Sequence, residues 1–193
     1  MVLPTHKSVR LDPDAAWLEG IRRAESPNQD ERPENTEITL LVIHSISLPP
    51  GEFGGGYIDQ LFMNNLDCRA HPYFAEIAET RVSTHILISR AGLITQYVPF
   101  NKRAWHAGVS EFCGRQRCND FSIGVELEGC DDHPYTEEQY IQLAALTAVL
   151  MKQWPEITRD NIVGHCHIAP DRKTDPGPTF EWKHYFDLLE QFV

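Results

Sequence analysis

Two histidines in this chain each close a short apolar run. His44 follows Thr39-Leu40-Leu41-Val42-Ile43, and His165 follows Asn161-Ile162-Val163-Gly164. Runs of that length and branching read as buried strands, so both imidazoles emerge at strand ends, where sites are usually built. Neighbouring strand ends bring two such rings together, and Asp175 in the next loop adds a carboxylate. Two imidazoles and one carboxylate are the ligand set of a catalytic zinc whose fourth position stays open to water. Spacing alone does not decide the matter, because many chains contain such a triplet. The nine histidines include no HExxH pair, and Cys113 and Cys118 have no partner pair at zinc-finger spacing. Cys166 sits beside His165, but a thiolate would make the site tighter and more structural, so it is read as a packed thiol pointing away.

The elements that must position these residues are legible in part. Residues 84–89 and 93–98 read as two strands joined through Arg90-Ala91-Gly92 in a hairpin. Phe121, Ile123, Val125 and Leu127 alternate with Ser122, Gly124, Glu126 and Glu128. That period of two predicts a half-buried strand with both glutamates opposite the core. Thr136 with Gln139 forms a capping-box signature and Tyr135 with Tyr140 a hydrophobic staple. The helix they start carries Tyr140, Leu143, Leu146 and Leu150 on one face and stops before Pro155. A short helix is expected over 57–64, with Ile58, Leu61 and Phe62 on one side. A final helix over 180–192 is expected to bury Trp182, Phe186 and Leu189. The first 36 residues, rich in Pro, Asp, Glu and Asn, read as an arm packed on the domain. Together these predict an α/β fold: a single domain spanning 1–193, with a mixed central β-sheet flanked by helices.

Composition narrows the function classes. The chain has 193 residues, 41% of them hydrophobic and 23% charged, which suits one globular domain. A net charge of −11 argues against a coat for nucleic acid or an anionic membrane, both of which need clustered positive charge. No apolar run is long enough for a membrane span, and the first residues lack an export-signal stretch. Five scattered cysteines fit reduced thiols. A cytosolic monomer with no nucleic-acid or membrane partner is therefore expected.

Four motifs then appear in order: Leu41-Val42-Ile43-His44, Trp105-His106-Ala107-Gly108, the run from Ile123 to Gly129, and Val163-Gly164-His165 through Lys173-Thr174-Asp175-Pro176-Gly177. The chain resembles the zinc-dependent N-acetylmuramoyl-L-alanine amidases, whose superfamily includes phage lysozyme-type amidases and peptidoglycan recognition proteins. The stretch from Ile46 to Gly55, with His71-Pro72-Tyr73-Phe74 and Ile168-Ala169-Pro170-Asp171-Arg172-Lys173, resembles the family's cytosolic peptidoglycan-recycling branch. The likeness runs from about residue 17 to the end.

The resemblance implies a Zn2+ cofactor held by His44, His165 and Asp175, and catalytic roles for Glu126 and Lys173. Strand alternation does not separate Glu126 from Glu128; the family match selects Glu126. Gly124, on the same face, is expected to leave room for substrate. Arg81, Trp105, Arg117 and Tyr73 match positions around the substrate, a small-molecule muropeptide. The implied reaction is hydrolysis of the amide between the (1,6-anhydro)-N-acetylmuramyl lactyl group and L-alanine. Lys102, Arg103, Arg115 and Arg117 form a local basic stretch suited to stem-peptide carboxylates. Two alternatives remain: a secreted or phage lytic amidase acting on intact wall, and a non-catalytic peptidoglycan-binding module. Members that only bind tend to lack part of the zinc set, which here is present in full.

Overall fold

The computed structural model describes residues 9–193. In chain order the elements are β1 (Arg22–Arg23), β2 (Gln29–Glu31), β3 (Leu40–Ile46), α1 (Tyr57–Phe62), α2 (Pro72–Ile77), β4 (Ile86–Ile88), β5 (Ile94–Gln96), β6 (Lys102–Ala104), β7 (Glu111–Phe112), β8 (Arg115–Gln116), β9 (Ser122–Glu128), α3 (Glu137–Gln153), β10 (Ile162–Gly164), α4 (His165–Ile168) and α5 (Trp182–Leu189). Six strands form one sheet in the order β1-β5-β4-β9-β3-β10. Only the β4–β5 hairpin is antiparallel; the other neighbours run parallel, so the sheet is mixed as expected.

Helices α3 and α5 cover one face. Ile123, Val125 and Leu127 of β9 meet Leu143, Leu146 and Leu150 of α3 and Tyr185 of α5 there. The capping box forms as read, with the Thr136 hydroxyl accepting from the Gln139 backbone, and the Tyr135 and Tyr140 rings meet edge-on. Leu48, Ile58, Leu61, Phe62 and Phe74 build a second apolar cluster under α1 and α2.

Three expectations are corrected. Strand β9 is not half-buried: it lies between β4 and β3, and both of its faces are covered. Its polar alternation marks the floor of a site rather than a solvent face. Helix α5 is shorter than read and buries Tyr185, Leu188 and Leu189, leaving Trp182 and Phe186 half-buried. The turn of burial follows Tyr185, whose hydroxyl meets Thr147 of α3 at 2.8 Å. Finally, His165 opens a single helical turn, α4, where a loop was read. Sequence patterning also missed α2 and the short strands β6 to β8.

Residues 1–8 of the expected arm lie outside the described residues. From residue 9 the arm contributes β1 to the sheet edge and β2 to a pair with β6. Leu18 is fully buried, and its amide donates to Gln96 Oε1 at 2.8 Å. Arg32 reaches inward and donates to the carbonyls of Phe100, Asn119, Asp120 and Ser122 at 2.8–3.2 Å. Burial lowers its pKa to about 10. Among the described residues no helix is long and apolar enough to cross a membrane.

Candidate active site

Parallel pairing of β10, β3 and β9 assembles the centre of the site. Ile43 pairs with Gly164, and His44 pairs with Glu126. His165 follows Gly164, so the chain's next step after β10 sets its ring beside His44. The three atoms His44 Nδ1, His165 Nδ1 and Asp175 Oδ2 lie 3.0–3.2 Å apart. Tetrahedral zinc with bonds of about 2.0–2.2 Å sets its N and O ligands roughly 3.3–3.6 Å apart, so a small outward relaxation admits the ion.

The far side of each ring is held. His165 Nε2 lies 3.1 Å from the carbonyl of Ala107, and Arg172 donates to that same oxygen at 2.7 Å. A proton on Nε2 leaves the Nδ1 lone pair aimed at the triad. His44 Nε2 lies 2.8 Å from His106 Nδ1, His106 Nε2 lies 3.1 Å from Ser122 Oγ, and Ser122 donates to the Cys118 carbonyl at 2.6 Å. The hydrogen-bond partners fix the proton direction along this relay: His44 donates to His106, and His106 donates to Ser122. Burial outweighs the hydrogen bond to Asp175 and brings His44 down to about 4, so its ring is neutral and free to ligate. Burial alone would raise Asp175, but the His165 and His44 rings against its carboxylate hold it well below the usual carboxylate range.

Glu126 presents the opposite case. Its Oε2 is buried with no hydrogen-bond partner in the protein. Burial first, then the Asp175 charge, pushes its pKa well above the usual range, and Lys173 opposes both. An unpartnered carboxylate oxygen on the same wall as a group of two imidazoles and a carboxylate is the arrangement a cation and its water would satisfy.

A cavity of about 350 Å³ gathers Tyr73, Trp105, His106, Glu126, His165, Lys173 and Asp175 on its wall. Arg81 is not brought into that wall: it is exposed, donates to the Ala78 carbonyl at 3.1 Å and pairs with Glu79. Arg117 is not brought into that wall either: it lines a separate groove with Glu111, Gln116 and Arg172 and pairs with Asp120 at 3.4 Å. The basic stretch is largely neutralised from within. Lys102 pairs with Glu31, Arg103 with Asp30 and Asp120, and Arg115 lies over the Phe121 ring at 3.9 Å.

One reading changes on this geometry. Gly124 leaves no room for substrate, because a Cβ built there would lie 2.5 Å from the His106 ring. Glu128, two residues beyond Glu126 on the same strand, is held by hydrogen bonds. Its two oxygens accept from the amides of Gly54 at 2.6 Å and Arg90 at 3.0 Å. The residue that sequence reasoning passed over is His106. Its signal was Gly124, a glycine inside an otherwise regular strand, which marks a close approach. Cys166 stays outside the triad, its amide donating to the Asp175 carbonyl at 2.9 Å.

Comparison with known proteins supplies the family. The N-acetylmuramoyl-L-alanine amidase family matches residues 34–178. The chain is 61% identical over 178 residues to the 1,6-anhydro-N-acetylmuramyl-L-alanine amidase AmpD of Escherichia coli (strain K12), covering 92% of this chain and 97% of that protein. The AmpD of Haemophilus influenzae is 58% identical over 179 residues, covering 93% and 97%. A crystal structure of a selenomethionine AmpD derivative superposes with a TM-score of 0.89 at 58% identity, covering 93% of this chain and 99% of that one. The complex of the E. coli amidase AmiD with anhydro-N-acetylmuramic acid-L-Ala-D-γ-Glu-L-Lys is more distant, with a TM-score of 0.59 at 26% identity, covering 95% of this chain and 66% of that one. With three quarters of its length inside the family match and its fold and sequence shared with AmpD proteins end to end, the chain belongs to the N-acetylmuramoyl-L-alanine amidase family.

Proposed function

We propose that this enzyme hydrolyses the amide between the lactyl group of 1,6-anhydro-N-acetylmuramic acid and L-alanine, on soluble muropeptides released during wall turnover in the cytosol. The observation that carries the reading is the triad of His44, His165 and Asp175 set beside the unpartnered carboxylate of Glu126. The donor set fits zinc: two imidazole nitrogens, each ring held from behind, and one carboxylate oxygen. When bound, zinc supplies Lewis acidity to the amide carbonyl and to the attacking water.

The remaining work belongs to the chain. Glu126 takes the proton from the attacking water and delivers it to the leaving amine of L-alanine. Its elevated proton affinity suits it to the second task, and cations at the triad and at Lys173 draw it back toward ionisation for the first. Lys173, on the same cavity wall, places a positive charge where the tetrahedral oxyanion develops. Trp105 is fixed by its indole N–H, which donates to Asp30 at 3.2 Å, and offers a rigid face to the sugar. The anhydro ring has one fixed shape, so a rigid wall binds it without ordering a flexible sugar. Arg117, mostly exposed in its own groove, would pair with a carboxylate of a stem peptide long enough to reach it.

The test is kcat/KM on a defined anhydromuropeptide, on the same peptide carried by a reducing sugar, and on intact sacculi, with zinc measured in the same preparation. Preference for the anhydro substrate at one zinc per chain is expected. Equal or better use of sacculi overturns the recycling assignment, and full activity without metal overturns the zinc assignment.

A further inference from the structure

A second group of ligand-type side chains lies just past the end of β9. Cys130 Sγ is 3.1 Å from Asp132 Oδ1 and 3.3 Å from His133 Nδ1, and those two atoms are 3.1 Å apart. These separations match those of the His44–His165–Asp175 triad to within a few tenths of an ångström. They approach the roughly 3.3–3.6 Å expected between S, N and O ligands of tetrahedral zinc. We propose that Cys130, Asp132 and His133 form a second metal site that takes a soft divalent cation of the zinc class. This inference does not rest on the amidase reading.

The group is held by its surroundings. The His133 amide donates to the Cys130 carbonyl at 3.3 Å, closing a turn, and Thr179 Oγ1 donates to the His133 carbonyl at 3.0 Å. The His133 ring meets Phe53 edge-on at 5.7 Å, and Phe53 is itself capped by the Arg90 guanidinium at 4.9 Å. The imidazole is therefore steadied by ring packing from outside the cluster.

The donor chemistry selects the ion. A thiolate with an imidazole and one carboxylate suits zinc, cobalt or cadmium and is poor for magnesium or calcium, which require mostly oxygen. Three protein donors leave a coordination position for water. Cys130 and Asp132 also line a cavity of about 620 Å³ whose wall includes Lys173 and Asp175. A bound ion there would sit on the rim of the catalytic cleft, next to but separate from the triad. The thiol proton is released on binding, so uptake should weaken on acidification.

Cobalt(II) is the probe. Titrating the metal-free full chain with cobalt, at a small molar excess, should give two bound equivalents by equilibrium dialysis and a near-ultraviolet thiolate-to-cobalt absorption. Both the second equivalent and the absorption should disappear in Cys130→Ser and be strongly reduced in His133→Ala. Cys166→Ser, which alters the thiol beside His165, should keep both. An unaltered chain that binds cobalt without the thiolate absorption overturns the proposal, whatever the number of equivalents. So does an absorption that survives Cys130→Ser or is lost in Cys166→Ser, since that assigns the thiolate elsewhere.

Discussion

His44 and Glu126 are paired across β3 and β9, so an imidazole and a carboxylate share one rung of a parallel sheet. Two rungs earlier, on the same face, Val42 pairs with Gly124, over which the His106 ring rests. The separation of the two backbones that carry these side chains is thus set by the spacing between strands, about 4.8 Å in any sheet, rather than by loop conformation. Buried central strands are the least deformable part of such a fold.

Glu126→Gln should keep zinc and lower turnover on the order of a hundredfold or more, because the amide cannot carry the proton. Lys173→Ala should do the same through the oxyanion, again on the order of a hundredfold. Zinc content and single-turnover rates check both. Loss of zinc from either variant would return that residue to a structural role.

The raised pKa of Glu126 makes a pH-dependent stability prediction for metal-free protein. Below the unfolded carboxylate pKa, about 4.3, both states hold the proton and the residue costs nothing. Above it only the unfolded state ionises freely, so the fold loses stability as pH rises toward the folded pKa. Glu126→Gln should therefore raise the melting temperature of stripped protein at pH 7 and leave it nearly unchanged at pH 4. Equal effects at the two pH values would show that burial does not perturb this carboxyl.

His106→Ala should weaken zinc binding by roughly 10–100-fold, the usual cost of removing the partner behind a ligating histidine. Competition with a chelator measures it. His106→Gln should restore much of the affinity, since its amide can accept from His44 and donate toward Ser122. Gly124→Ala should weaken zinc in the same direction by displacing the ring. Unchanged affinity in all three would detach the relay from the metal.

Glu128→Ala should leave kcat within a fewfold of the parent and destabilise the fold on the order of 2 kcal/mol, or roughly 4–8 °C in Tm. Its carboxylate joins the Gly54 loop and the Arg90 turn to β9. A large kcat loss without a melting shift would exchange the roles of Glu126 and Glu128.

Arg117→Ala should raise KM on substrates that carry the stem peptide, with kcat little changed. Arg81→Ala should leave both constants close to the parent, since its guanidinium faces Ala78 and Glu79 outside the cavity. Steady-state kinetics on one muropeptide distinguishes the two arginines.

What the sequence made legible follows from local rules. The capped helix α3, the β4–β5 hairpin and the strands ahead of His44 and His165 each announce themselves within a few residues. Strand order does not, and β9 shows why. Its alternation of apolar and polar residues is the pattern of a sheet with one wet face, yet here the polar face is dry and forms the site. Whether a polar row meets water or other protein is decided by distant segments, in this case those carrying His106 and the Gly54 loop. The basic stretch around Lys102 misled for the same reason, because its partners Glu31, Asp30 and Asp120 come from elsewhere in the chain. His106 carried no periodic signature and became visible only once Gly124 was seen beneath it.

Arg32 gives the arm a consequence that homology boundaries do not anticipate. The family match begins at residue 34, yet Arg32 gathers the carbonyls of Asn119, Asp120 and Ser122 around one guanidinium. Ser122 is the residue on which the His44–His106 relay ends before Cys118. A fragment trimmed to the matched span would keep His44, Glu126, His165, Lys173 and Asp175, and still lose the clasp that fastens the far end of the relay. The span by which the chain is recognised is therefore shorter than the span that holds the surroundings of the triad together.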